Sequence, residues 1–247
     1  MFKFFRKIRQ KLLTENKFSK YLFYAIGEIL LVVVGILIAL QVNNWNERKK
    51  DRKSEYKSYQ KILSSLQKDS LELVKIIRIQ DLSLESQNMF MTTDHSILLG
   101  SLGANEIDHH LLQFRNGVLS FFPRYGTYKT LLSTSGMDNI KSEKIKSLLI
   151  DLYDYKYKRY ENIDAVIDQK FEFGVVPMLS RDLGFMGFQD VIKKSVDLEK
   201  FEENYRELVL SCEMNYITNM AGKNILHDIQ KSVNELIDVI DKQLKKE

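Results

Sequence analysis

Several residues in the chain have types and spacings that chemistry can use. Glu28 is a carboxylate set inside the apolar run YAIGEILLVVVGILIALQVNNWNE, Tyr24 to Glu47. Acids within membrane segments mark ion paths or hydrogen bonds to a neighbouring helix. Glu106-x-x-His109, followed by His110, has the Glu-x-x-His spacing of carboxylate-bridged metal sites. Arg124 and Tyr128 stand in an apolar corner, Phe121–Tyr128, where a polar pocket would need them. Cys212 is the only cysteine, so neither an intramolecular disulfide nor a Cys-based zinc site can be built on it.

Each has an ordinary reading beside the chemical one. Gly35 and Ala39 lie on the Glu28 face, and Gly35-x-x-x-Ala39 is a small-xxx-small pattern, so a helix–helix association face competes with proton handling. The metal reading lacks the second Glu-x-x-His pair and two further glutamates, which makes a solvated helix face the expectation. Asp151, Asp154, Glu161, Asp164 and Asp168 alternate with Lys156, Lys158, Arg159 and Lys170, the pattern of a salt-bridged surface. Tyr153, Tyr155, Tyr157 and Tyr160 could line an aromatic pocket, but packing against neighbouring helices is the ordinary use. Cys212 reads as a buried thiol. Ser135-Gly136 is no nucleophile elbow, and there is no glycine-rich phosphate loop. No metal, cofactor or catalytic residue is therefore assigned, and an enzyme is not the expected class.

The elements that carry these residues divide the chain in three. Residues 1–20 are a basic amphipathic tail, with Phe2, Phe5, Ile8 and Leu12 at helical spacing among lysines and arginines. Residues 21–42 are long and apolar enough for a transmembrane helix of roughly 30 Å, with Tyr21, Tyr24 and Trp45 at its interfaces. Ala39-Leu40-Gln41 is not a small-residue cleavage site, so the segment reads as an uncleaved signal anchor. Basic residues flank the span equally. A short basic tail is nonetheless harder to export than a long domain, which puts the tail in the cytoplasm and residues 43–247 in the periplasm, a single pass of the inner membrane.

Residues 43–247 read as helical. Only two prolines, Pro123 and Pro177, interrupt them. Tyr56, Tyr59, Leu63, Leu66, Leu73, Ile77, Leu84 and Met91 form a heptad-like stripe, with Ser70, Gln80 and Gln87 as breaks. A short helix over Asn105–Phe114 capped by Asn105, another over TYKTLLSTSG, and a long one from Glu143 to Phe173 capped by Ser142 follow. Gly174 and Pro177 are expected to stop that helix and open an ordered loop, Val175–Phe188. Asp197 starts a helix through Val209, and Leu226, Ile229, Val233, Leu236 and Ile240 mark the last one. The expected fold is all-α: the apolar helix followed by a bundle of long, coiled-coil-like helices, the first and last antiparallel.

Two blocks carry a resemblance. FFRKIRQKLLTENKFSKYLFYAIGEILLVVVGILIALQVNNWNE and FFPRYGTYKTLLSTSGMDNIKSEKIKSLLIDLYDYKYKRYE resemble a Bacteroidota (flavobacterial) single-span membrane-protein family known only as a domain of unknown function. They cover about a third of the chain, and Met137 and Asp138 replace the Asn and Leu that the second block leads one to expect. The resemblance implies a single span and a helical soluble domain, and brings no activity and no catalytic residues.

The net charge of +4 falls largely at the ends of the span, so nucleic acid is not an expected partner. The lipid bilayer is, together with a second copy or another membrane helix. The first expectation is a membrane-anchored scaffold, sensor or interaction module. The alternatives are an envelope enzyme with a site in the Phe121–Tyr128 and Val175–Phe188 loops, and an ion-coupled accessory subunit acting through Glu28.

Overall fold

A computed structural model of the chain describes residues 18–134, 136–185 and 195–245, with residues 18–21 and 24 described by their backbone alone. Most of the basic tail, the side chains of Tyr21 and Tyr24, Ser135 and Phe188 thus lie outside the described residues. The described residues contain helices and no strand. The chain forms two compact units, divided between Ser54 and Glu55.

The first helix, α1, spans Phe18–Thr92. In the first unit its apolar stretch is long enough to cross a membrane, and none of that stretch is buried. Ile29, Leu31, Ile36 and Ile38 all stand more than half exposed, which in a water-soluble protein would waste the main driving force of folding.

The second unit is built on three long helices. The remainder of α1 is the first. The second begins at α6 (Glu143–Ile150), capped by the Ser142 hydroxyl, and continues through a π-helical turn (Asp151–Lys156) into α7 (Tyr157–Lys170). The third is α9 (Tyr205–Leu244). The shorter helices are α2 (His95–Ser101), α3 (Ala104–Asn116), α4 (Gly126–Ser133), α5 (Gly136–Asn139) and α8 (Leu198–Glu203).

Side-chain bonds fix the directions. Ser70 Oγ donates to Asn234 Oδ1 at 3.2 Å and Lys223 Nζ to Asp81 Oδ1 at 2.7 Å, so α1 and α9 run antiparallel, as expected. Glu55 accepts from the Lys141 N–H and Asp69 from the Tyr157 hydroxyl, so the second long helix runs parallel to α1. Lys156 with Asp228, and Lys170 with the Met214 carbonyl, make it antiparallel to α9. Helix α3 lies antiparallel along the far half of α1, through Gln80 with the Gly117 carbonyl and Ser86 with Gln113.

The buried seams follow the heptad step. On α1 they fall at Tyr59, Ile62, Leu66, Asp69, Leu73, Ile76, Gln80, Ser83, Gln87 and Phe90, three and four residues apart. On α9 the same step gives Leu208, Cys212, Asn215, Asn219, Gly222, Leu226, Ile229, Val233, Leu236 and Ile240. A steady 3.5-residue repeat keeps one stripe turned toward its partner. The two observed bonds bring Gln80, Ser83 and Gln87 level with Gly222, Asn219 and Asn215. This polar section lies between two apolar clusters: Tyr59, Leu66, Leu149 and Val233 belong to one, Phe90, Phe114, Phe171 and Leu208 to the other.

Four local expectations are corrected. Gly174 and Pro177 do not stop the helix. Proline lacks an N–H, and its ring strikes the carbonyl four residues back. The chain answers by widening: Phe171–Val175 and Met178–Asp182 are π-helical, with the Val176 N–H reaching Phe171 O and the Leu183 N–H reaching Met178 O. The expected loop therefore begins at Leu183, where Gly184 takes φ +65°. Helix α3 is capped at Gly103 rather than Asn105, because Glu106 reaches back to the Gly103 N–H at 3.0 Å. Asp197 does cap a helix, but it ends at Glu203, and Asn204 separates it from α9.

Candidate functional site: a basic groove beside a buried carboxylate

The heptad step turns Asp69 inward from α1, and its side chain is wholly buried. An isolated carboxylate there would be costly. The segment before α4 supplies the answer: Arg124 Nη1 donates to Asp69 Oδ1 at 2.7 Å and Nη2 to Glu72 Oε2 at 2.7 Å. Tyr157 Oη donates to Asp69 Oδ2 at 2.9 Å. Loss of solvent pushes the Asp69 pKa up, while the Arg124 and Tyr157 bonds pull against it. Burial likewise drives the Tyr157 hydroxyl far above its ordinary range, so it stays a donor.

Tyr128 is used in the same way. It stacks on Tyr153, with ring centroids 4.4 Å apart and planes 5° apart, and donates to Asp154 Oδ2 at 2.6 Å. That bond is the main reason the Asp154 pKa lies below the usual carboxylate range. Tyr125, Tyr153, Tyr157 and Phe121 continue the aromatic packing edge to face, and Tyr160 meets Phe121 at a 55° tilt. Tyr153, Tyr157 and Tyr160 are core residues, and Tyr155 alone of that set faces outward.

Outside this buried knot lies an open groove of about 490 Å³. Lys57, Gln60, Lys61, Ser64, Ser65 and Lys68 of α1 form one wall, and Arg124, Gly126 and Thr127 form the other. The α1 residues recur every three or four positions, one side of the helix turned toward α4. No residue of the Val175–Phe185 stretch lines the groove. Val175, Met178, Leu179, Leu183 and Phe185 pack instead with Phe90 and Phe114. Among the described residues, the two segments expected to share an enzyme site do not share this groove.

The remaining candidates fall elsewhere. Glu28 is half-buried and lines a shallow hollow with Ala25, Ile29, Val32 and Val33. Gly35 and Ala39 are exposed, and a side chain at Gly35 would meet nothing. Trp45 is exposed, with Lys49 Nζ 5.6 Å from its ring centroid. Glu106 serves the α3 cap, His109 faces Gln113, and His110 sits against Ser86 and Phe90. Burial is the main cause lowering the His110 pKa. Cys212 is buried, and burial drives its thiol pKa up, as befits an inert core residue.

Sequence reasoning singled out neither Asp69 nor the lysine wall. The signal for Asp69 was its place in the heptad step between Leu66 and Leu73. The signal for the wall was the spacing of Lys57, Lys61, Ser64 and Lys68.

No curated protein and no solved structure matches the chain. A family match covers residues 28–176, from Glu28 in the apolar stretch to the π-helical turn before Pro177, and so takes in Arg124, the groove and the buried carboxylate. The chain belongs to DUF6090, a family of unknown function.

Proposed function

We propose that the protein is a single-pass, membrane-anchored module that works by binding, as an envelope scaffold or sensor, rather than by catalysis. The apolar stretch of α1 carries this reading: it is unburied and long enough to cross a bilayer, and lipid is the solvent that would cover it. It would serve as an uncleaved signal anchor, with the basic tail in the cytoplasm and the helical unit in the periplasm. Binding is favoured over catalysis because the reactive-looking side chains are spent on structure. Arg124 neutralises Asp69, Tyr128 bonds Asp154, and Glu106 caps a helix. The likeness of the two sequence blocks to single-span bacterial envelope proteins supports the same reading.

Fractionation of the full-length protein tests it. The chain should sediment with membranes, stay there through alkaline carbonate and enter solution only with detergent. Protease added to cells with a permeabilised outer membrane should digest the helical unit. Recovery in a detergent-free supernatant, or a mature chain starting just after Ala39, would overturn the proposal.

A further inference from the structure

We propose that the polar section between the two apolar clusters is a built-in break in the bundle. There the half built on Phe90, Phe114 and Leu208 opens as a unit while the half built on Tyr59, Leu149 and Val233 stays folded. The inference is independent of membrane anchoring and rests on what all three long helices place between the clusters. On α1 the first cluster ends at Ile77, with Ile79 packed beside it, and the second begins at Met89 and Phe90. Gln80, Ser83, Ser86 and Gln87 fill buried positions between them, and Leu84, buried there too, belongs to neither cluster. On α9 the gap runs from Cys212 to Ile225 and holds Asn215, Asn219 and Gly222 on the buried seam. A Cβ at Gly222 would lie 2.8 Å from Ile167 Cδ1, so α9 adds no side chain at that level. On the second long helix Tyr160 belongs to the first cluster and Ile167 to the second, with Asp164 between them. Among the described residues, partly buried Ile163 alone packs against both clusters.

Such a section joins the halves weakly. Apolar packing couples one layer of a core to the next, and here it thins on all three helices at once. Gln80 Oε1, Gln87 Oε1, Asn215 Oδ1 and both polar atoms of Asn219 find no partner in the protein. A buried amide without a partner gains nothing to offset its desolvation, and water reaching it only restores what the open state already has. The Lys223–Asp81 pair that crosses the section is partly solvated, and such pairs contribute little.

The halves also differ in what holds them. In the first, Arg124 joins Asp69 and Glu72, Tyr157 joins Asp69, and Lys156 joins Asp228, so each long helix is tied to another. The second is completed by short pieces, α2, α3 and α8, of 7, 13 and 6 residues. Helices of such length are marginal on their own, and local opening is drawn from the elements with least support. A ligand or partner that binds only the closed second half shifts that opening without acting on the first.

Hydrogen exchange of the full chain in neutral detergent, read by mass spectrometry of its peptides, tests this. Within the continuous helices α1 and α9, protection should step down from Ile77 to Phe90 and from Leu226 to Cys212, by about a hundredfold or more. Leu236→Ala removes a wholly buried side chain of the first cluster, away from the polar section. It should speed exchange at Leu149, Tyr153 and Val233 by about thirtyfold or more. Exchange at Phe114, Phe171 and Cys212 should stay as in wild type, because the second half opens without the first. A single cooperative bundle gives the same increase in both halves. Equal protection along α1 and α9, or an equal response of the two halves to Leu236→Ala, would overturn the proposal. The first of these is read on the wild-type chain, whether or not the variant folds.

Discussion

Arg124 Nη1 lies 2.7 Å from Asp69 Oδ1, and the two residues stand at opposite levels of exposure: the aspartate side chain is 0% accessible and the arginine 40%. The pair ties the segment before α4 onto α1, and the groove takes its shape from that attachment. Arginine suits the position because one planar group serves two carboxylates, at Asp69 and Glu72.

Removing Arg124 should therefore cost more than an ordinary surface change. Arg124→Leu leaves Asp69 buried without its cation, held by the Tyr157 hydroxyl and the backbone of residue 124. The expected loss is about 3 kcal/mol, the low end for a broken buried pair because Arg124 is partly solvated. Asp69→Leu combined with Arg124→Leu should recover most of it. Urea unfolding followed by circular dichroism measures both, and an Arg124→Leu variant as stable as wild type would show that Asp69 needs no cation.

Asp164 and Asp154 should respond to pH with opposite signs. Desolvation is the main cause raising the Asp164 pKa above 3.8, even though Tyr160 donates to it at 2.9 Å. The folded state then keeps its proton after the unfolded state has lost it, so this group's contribution is full below pH 3.8 and is lost as pH rises through its folded value. Asp164→Asn should gain on wild type as pH rises from about 3 to about 7. The Asp154 pKa is lowered, chiefly by the Tyr128 hydroxyl. Its contribution is present above 3.8 and is lost as pH falls through the folded value. Asp154→Asn should lose to wild type over the same rise. Urea midpoints across that range decide, and parallel curves would refute both assignments.

The polar middle of the bundle should be improvable. Asn219 is fully buried, and neither of its side-chain polar atoms has a partner. Gln80 Oε1, Gln87 Oε1 and Asn215 Oδ1 share that condition. An unmet buried polar group costs about 1–3 kcal/mol, so Asn219→Leu should raise the melting temperature. A lowered one would mean that internal water satisfies the amide, or that leucine overfills the site.

Self-association of the apolar stretch is checked by thiol crosslinking in membranes. Cys212 is buried, so the background is low. Gly35→Cys and Ala39→Cys should give dimers, and Leu37→Cys, on the opposite side of the helix, fewer, if the face of Glu28, Gly35 and Ala39 meets a second copy. Glu28→Gln should then preserve the dimer, since an amide still bonds across the pair. Equal yields at all three positions would remove the association face.

The all-helical class, the apolar stretch of α1, the Ser142 and Asp197 caps and the antiparallel first and last helices were legible in the residues alone. Each depends on local chemistry or on a hydrophobic period, which a chain writes along its length. The path through Gly174 and Pro177 was not, because a proline in the sequence is met equally by a helix stop or by π-helical widening, and Phe171, Val175 and Leu179 join one cluster with the distant Phe90 and Phe114. The α1 seam was read only in part. Gln80 and Gln87 occupy core positions but look like interruptions until Gly117 and Ser83 are seen to partner them, and Asp69 shows its place only with Arg124 against it. Only the fold could convert Lys57, Lys61 and Lys68 from a solvated face into the wall of a groove. Their opposite wall, from Arg124 to Thr127, comes from a segment more than fifty residues away, brought there by a carboxylate that could not stay buried alone.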